Sequence, residues 1–314
     1  MDKKVITVLG PVAPDEMGIT DAHNHVWISP VNSPAADAPM LNQQDAILAE
    51  LKDYREAGGG GQIDCQPFGC GRDGRKLRYL SEQSGVKIVA NTGFHLQQYY
   101  PPDSAIWQMD TQRAADLFLS EIREGLTETR EDEAPVFPGL IKIAVRESIE
   151  ASPVHLIEAA VQASLESSLT IEMHTEKGQA VEDFVALFAK LRLPPERLVI
   201  CHIDKRPDHG LHKELAQAGY MLEYDTFFRP KYAPENKLWA LIDAMVEAGL
   251  GHALALATDL ADGSLWARVG GGPGIAAFVT DVKQRLEELA YSEEYIQAMM
   301  GGNIANRLAV SNKE

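Results

Sequence analysis

Cysteine is nearly missing from this chain. Three residues among 314, Cys65, Cys70 and Cys201, cannot build the disulfide framework of a secreted scaffold, and without a second Cys pair they argue against a structural zinc site. A reduced, cytoplasmic setting is the expectation. Basic residues are also short, 29 against 46 acidic ones, for a formal net charge of −17. That balance argues against nucleic acid or an anionic membrane as a partner. No apolar run approaches bilayer-spanning length, and "MDKKVITVLG" lacks the apolar stretch of a signal peptide. No low-complexity block interrupts the chain and no linker divides it, so one domain over residues 1–314 is expected. A G-x-S-x-G elbow is absent too, which removes the serine nucleophile of α/β-hydrolases.

What is present is a rhythm. Short β-like runs recur: "GITDAHNHVW" (18–27), "GGQIDCQP" (60–67), "VKIVANTGF" (86–94), "LIKIAV" (140–145), "LTIEMHT" (169–175), "RLVICHI" (197–203), "YMLEYD" (220–225) and "HALALATD" (252–259). Amphipathic segments such as "NQQDAILAELKDYREAG", "SPVHLIEAAVQASLESS", "QAVEDFVALFAKL" and "PENKLWALIDAMVEAG" lie between them. Strands alternating with helices imply a parallel sheet with crossover helices. Eight such units in this length predict an α/β fold, a (β/α)₈ barrel closed by a helix over "SEEYIQAMMGGNIANRLAV".

In a barrel, chemistry gathers where the strands end at their C-terminal side. Alternate residues of a strand share a face, so "TDAHNH" aims Asp21, His23 and His25 at one interior. The other strand ends contribute Lys142, His174, His202 and Asp259. Taken singly, each has an ordinary explanation: a hydrogen-bonded histidine, a capping aspartate, an ion-paired lysine. Six such residues at the same relative place on five strands make coincidence a poor account. Imidazole and carboxylate together suit zinc, and also iron, nickel or cobalt.

These residues resemble the phosphotriesterase-like branch of the amidohydrolase superfamily, in "TDAHNHVW", "IKIAV", "EMHT", "CHIDK" and "ATD", over nearly the whole chain. The resemblance implies two divalent metal ions: zinc, or else manganese, cobalt or iron. His23, His25 and Asp259 would bind the more buried ion, and His174 and His202 the second. It further implies that Lys142 carries a CO₂-derived carbamate bridging both, with burial expected to depress its amine pKa. The implied reaction is attack by a metal-activated water on a carbonyl carbon or phosphorus, with Asp259 as the proton acceptor. It also suggests a homodimer. Asp21 has no role in this pattern and is expected to hydrogen-bond inside the barrel.

For the substrate, "FFRPKY" (227–232) supplies Arg229 and Lys231, and "SLWARVGGGPG" (264–274) supplies Arg268 and a glycine turn before a helix. Loops after strands seven and eight commonly hold phosphate in barrels. Together with "TGFHLQQYYPPD" they resemble the sugar-lactone branch, some members of which take phosphorylated aldonolactones. The expected small-molecule substrate is therefore a sugar lactone, with or without a phosphate, touched by Arg229, Lys231, Arg268 and by Tyr99 or Tyr100. The alternative is a phosphotriesterase or aryl-esterase acting on organophosphates or carboxyl esters. "GCGRDG" (69–74) matches G-x-G-x-x-G, which raises an NAD-dependent oxidoreductase, but the acidic residue required about twenty positions later is missing.

Overall fold

The computed structural model describes residues 3–36 and 38–311. The eight apolar runs form eight parallel strands: β1 (Ile19–Asn24), β2 (Gly59–Asp64), β3 (Lys87–Gly93), β4 (Pro138–Ala144), β5 (Ile171–His174), β6 (Leu198–Ile200), β7 (Met221–Tyr224) and β8 (Leu254–Leu256). Each is hydrogen-bonded to the next in chain order. Helices α1 (Gln44–Glu56), α2 (Gly74–Ser84), α3 (Thr111–Glu124), α4 (Val154–Ser167), α5 (Val181–Lys190), α6 (His209–Gln217) and α7 (Leu238–Glu247) connect the strands. This is the expected (β/α)₈ barrel.

The helix ends follow from local chemistry. Asp73 caps α2 by accepting from the N–H groups of Arg75 and Lys76, and Gly85 ends it in the left-handed conformation. The expected closing helix is instead broken into Glu293–Gln297, a wide turn over Ala298–Gly302, and Asn303–Leu308. Gly301, at φ 150°, interrupts it. A side chain there would strike the Gly18 carbonyl, so the break lets the chain pass close beneath β1.

The barrel closes between β8 and β1 through side chain as well as backbone. Asp259 N–H donates to the His23 carbonyl at 2.9 Å. The Asp21 carboxylate accepts from Thr258 N at 3.0 Å and from Thr258 Oγ1 at 2.5 Å. Low in the barrel the filling is apolar: Ala22, Ile63, Val89, Leu140, Val199, Met221 and Ala255 pack with Val5 and Met17. An N-terminal hairpin, Lys3–Thr7 with Gly10–Val12, lies across that end, extended by Val310–Ser311. Its strands are too short to have shown a periodicity in the sequence.

Candidate metal centre

The upper interior is polar. His23 and Lys142 are fully buried, His25 and His202 nearly so, and Asp259 has 15% of its side chain exposed. His23 Nε2 and His25 Nε2 stand 3.9 and 3.8 Å from Asp259 Oδ1. His202 Nε2 lies 2.9 Å from His174 Nδ1. Lys142 Nζ is 3.2 Å from His23 Nε2. The structure thus brings together all six residues that the strand ends single out.

Two glycine-free backbone sites are strained to achieve this. His202 and Asp259 both adopt left-handed conformations, φ 63° and 49°, which cost a non-glycine residue on the order of 1 kcal/mol. Lys142 is placed by a close approach: a Cβ at Gly93 would sit 1.9 Å from the Lys142 carbonyl, so only glycine lets β3 run this near β4.

Burial, foremost, holds all four imidazoles below the ordinary histidine range, His25 at about 4. Neutral imidazole is the form that coordinates a metal. The remaining ring nitrogens are aimed by partners. His25 Nδ1 donates to Gln66 Oε1 at 2.8 Å, and His202 Nδ1 donates to Asp225 Oδ2, leaving Nε2 of each ring as the lone-pair nitrogen. His174 Nε2 is buried without a hydrogen bond; Glu176 Oε1 is 3.7 Å away. Donor atoms of His23, His202 and Asp259 lie within 4.8 Å of one another. Nitrogen and carboxylate donors that are converging, unprotonated and partly unsatisfied fit divalent metal ions.

Lys142 departs from expectation. Burial does pull its amine down, but Cys65, Glu172, Cys201 and Glu223 around it together hold it well above the ordinary lysine range. Glu172 Oε1 sits 2.8 Å from Nζ, an ion pair buried on both sides. The sequence reading considered the strand's apolar residues and overlooked the acid on the neighbouring strand.

A cavity of about 210 Å³ opens above these groups, walled by His23, His25, His95, Tyr99, His174, Arg229 and Asp259, with Ile28, Val31 and Pro39 opposite. Arg229 Nη2 bonds the Asp259 carbonyl and lies 3.2 Å from its Oδ2. Tyr99 lines the cavity; Tyr100 does not. It is fully buried, with its hydroxyl accepting from His95 N–H at 2.9 Å.

Two expected substrate contacts are corrected. Lys231 is exposed and lies over the Tyr232 ring, outside the cavity wall. Arg268 points outward and pairs with Asp53 at 2.6 Å. The glycine turn beside it has no free donors to offer an anion: the N–H groups of Gly270, Gly271, Gly272 and Gly274 donate to the carbonyls of Ala267, Trp266, Ser264 and Leu265. Glu50 already accepts from the flanking N–H groups of Ala267, Arg268 and Ile275 at 3.2, 2.6 and 3.0 Å. A carboxylate from α1 fills the place where a ligand phosphate was expected. "GCGRDG" is a structural loop as well: Arg72 is buried against Glu121 and Glu128, and Asp73 caps α2.

Several site residues escaped the sequence reading: Gln66, His95, Lys205, Asp225, Glu172 and Glu223. Glu172 and Glu223 stand two positions before His174 and Asp225, the same alternation that revealed the histidine pair of β1.

Known proteins bear on this geometry. A phospho-furanose lactonase of Mycoplasmopsis synoviae is 27% identical over 267 residues, covering 81% of this chain and 75% of its own. An N-acetyltaurine hydrolase of Salmo salar is 27% identical over 257 residues, covering 71% of this chain and 72% of its own. In fold, a lactonase from Listeria monocytogenes superposes with a TM-score of 0.87 at 23% identity, covering 99% of this chain and 100% of that one. The model of the Phosphotriesterase family matches residues 3–307, and the chain belongs to that family.

Proposed function

We propose that this protein is a metal-dependent hydrolase that opens a lactone ring, with a sugar lactone as the substrate. The observation that carries the reading is the convergence of four neutral imidazoles, Asp259 and Lys142 beneath one small cavity. Similarity to the lactonases of M. synoviae and L. monocytogenes supports the choice of lactones within the family.

His23, His25 and Asp259 would hold one divalent ion, most simply zinc, and His174 and His202 the other. Lys142 would bridge them after its amine, once deprotonated, adds to CO₂ and loses a further proton to give the carbamate. When bound, the ions supply a water acidic enough to attack near neutral pH and polarise the substrate carbonyl.

The chain's own residues do the remaining work. Although burial favours its neutral form, the cations Lys205 and Arg229 beside it hold the Asp259 carboxyl below the usual range. It is therefore an anion able to take the proton of the attacking water and return it to the leaving alkoxide. Arg229 Nη2 restrains that carboxylate and is the cation on the cavity wall that an anionic substrate group would meet. His95 Nδ1 accepts from Leu96 N–H at 2.7 Å, so Nε2 carries the ring proton and donates. Ile28, Val31 and Pro39 give the cavity an apolar side against which an uncharged part of the substrate can pack. As part of the same reading, the chain works as one domain in the cytoplasm, where its three buried thiols stay reduced, and as a homodimer.

The test is a kinetic screen of the metal-loaded protein against aldonolactones with and without phosphate, aryl esters, organophosphate triesters and N-acyl aminosulfonates. Lactones with the highest kcat/KM support the proposal. A preference for any other class on the panel overturns it.

A further inference from the structure

One layer below the imidazoles the barrel holds a second, chemically different set of donors. Glu172 and Glu223 point inward from β5 and β7, and both are fully buried. Cys65 and Cys201 lie beside them, also fully buried and free of disulfides. Cys65 Sγ donates to Glu172 Oε1 at 2.8 Å. Donor atoms of Glu172, Cys201, Glu223 and His23 lie within 4.8 Å of one another. His23 Nδ1 faces down onto this layer, 3.1 Å from Glu172 and 2.9 Å from Glu223, while its Nε2 faces up toward Asp259.

The layer is short of partners. Glu172 Oε2 and Glu223 Oε2 make no hydrogen bond, although no water reaches either side chain. An unpaired buried carboxylate costs several kcal/mol. Lys142 Nζ, 2.8 Å from Glu172, supplies positive charge as long as it is an ammonium. Carboxylation of Lys142 would exchange that cation for an anion, leaving a carbamate and two glutamates facing one another. The ions of the upper centre would meet the carbamate, but the unpaired buried oxygens of Glu172 and Glu223 would still face inward, placed to receive a further cation.

We propose that Glu172, Glu223 and Cys201, with Cys65 alongside, form an interior binding site for one additional divalent ion of the zinc type. The inference rests on the carboxylated-lysine reading above. Two carboxylates and a thiol suit a borderline ion in a four-coordinate site, and are poorly suited to magnesium or calcium. Binding displaces the thiol proton of Cys201 to solvent, so a metal–sulfur bond forms as the S–H bond breaks. His23 keeps Nε2 for the upper centre and donates Nδ1–H to the carboxylates of the lower one. Two metal centres of unlike chemistry would then share one imidazole as the wall between them.

Cobalt(II) substitution tests this without reference to turnover. The upper centre is built from nitrogen and oxygen donors, so a thiolate-to-cobalt charge-transfer band in the near ultraviolet reports the interior site. The protein, loaded with cobalt and bicarbonate, is expected to show that band and to hold one ion more per chain than the upper pair. Cys201→Ser is expected to lose the band and that ion, and Cys70→Ser, which alters the thiol on the cavity wall, to keep both. The absence of the band in the unmodified protein overturns the proposal even if Cys201→Ser fails to fold. A band that survives Cys201→Ser, or vanishes in Cys70→Ser, overturns it as well. Lactone hydrolysis with no sulfur band would sink the interior site and leave the proposed function standing; a band without hydrolysis would do the reverse.

Discussion

Asp21 accepts two hydrogen bonds from Thr258, one from the backbone N–H and one from the hydroxyl, across the seam where β8 meets β1. The first of the three alternating polar residues therefore closes the barrel, and the next two supply its imidazoles. Asp21→Ala leaves the buried Thr258 N–H without a partner and is expected to destabilise the fold by about 2–4 kcal/mol in urea titrations. Asp21→Asn, which keeps an acceptor oxygen, should recover about half of that.

Arg229 is expected to act on binding selectively. Loss of one charge-assisted hydrogen bond is worth about 1.5–3 kcal/mol, or roughly a 10- to 100-fold rise in KM. Steady-state kinetics of Arg229→Ala should show that rise for an anionic lactone, and about threefold or less for a neutral lactone of the same ring size. An equal rise for both would mean that Arg229 acts only through Asp259.

Arg268 should behave in the opposite way. Its guanidinium lies on the surface with Asp53, so Arg268→Ala is expected to leave kcat, KM and Tm at their unmodified values. Glu50 carries the structural burden there: Glu50→Ala strips three backbone N–H groups of their acceptor and should lower stability by about 2–3 kcal/mol, as read by thermal melts.

His212 makes stability acid-sensitive. Its Nδ1 accepts from the Tyr224 hydroxyl at 2.6 Å and its Nε2 donates to the Arg206 carbonyl at 2.9 Å, an arrangement only the neutral ring can make. Burial lowers its pKa to about 4. Because the folded value lies below the unfolded one of about 6.5, this stabilisation is complete above pH 6.5 and is lost as pH falls toward 4. The full loss is about 3 kcal/mol. Urea midpoints between pH 7 and 4 should fall less steeply in His212→Gln than in the unmodified protein.

Removal of metal is the fifth perturbation. Any ion bound by the folded state alone adds RT ln(1 + [L]/Kd), about 4 kcal/mol at a thousandfold excess over Kd. Dialysis against a chelator should lower Tm and abolish lactone opening, and zinc with bicarbonate should restore both.

How much of this was legible beforehand varies with the kind of contact. His23, His25, Lys142, His174, His202 and Asp259 were readable because strand-end position is local, although in β1 the ladder shifts register between Asp21 and Asn24, so that Ala22 and not Asp21 fills the barrel below the histidines. The barrel was readable for the same reason. Arg268 was misread because its fate is decided by Glu50 and Asp53, more than 200 residues earlier on α1, and nothing in "SLWARVGGGPG" announces them. Lys142 was half-read: its own strand is apolar, but Glu172 comes from the next strand. Glu172 and Glu223 went unnoticed because a single acid in a β-like run reads as an outward residue until the strand's facing is known.

The inward face of β5 carries Glu172 and then His174, with Lys142 paired to Glu172 and Ala144 to His174 across the ladder. Sliding that strand by one pleat would preserve every inside–outside choice yet put an oxygen donor where a nitrogen donor belongs. Hydrophobic sorting is blind to such a slip. Backbone hydrogen bonds re-form equally well after such a slip, so the register must be told apart by side chains, foremost the buried Lys142–Glu172 pair, and a chain that collapsed correctly but paired two residues out of step would look native from the outside and be chemically inert.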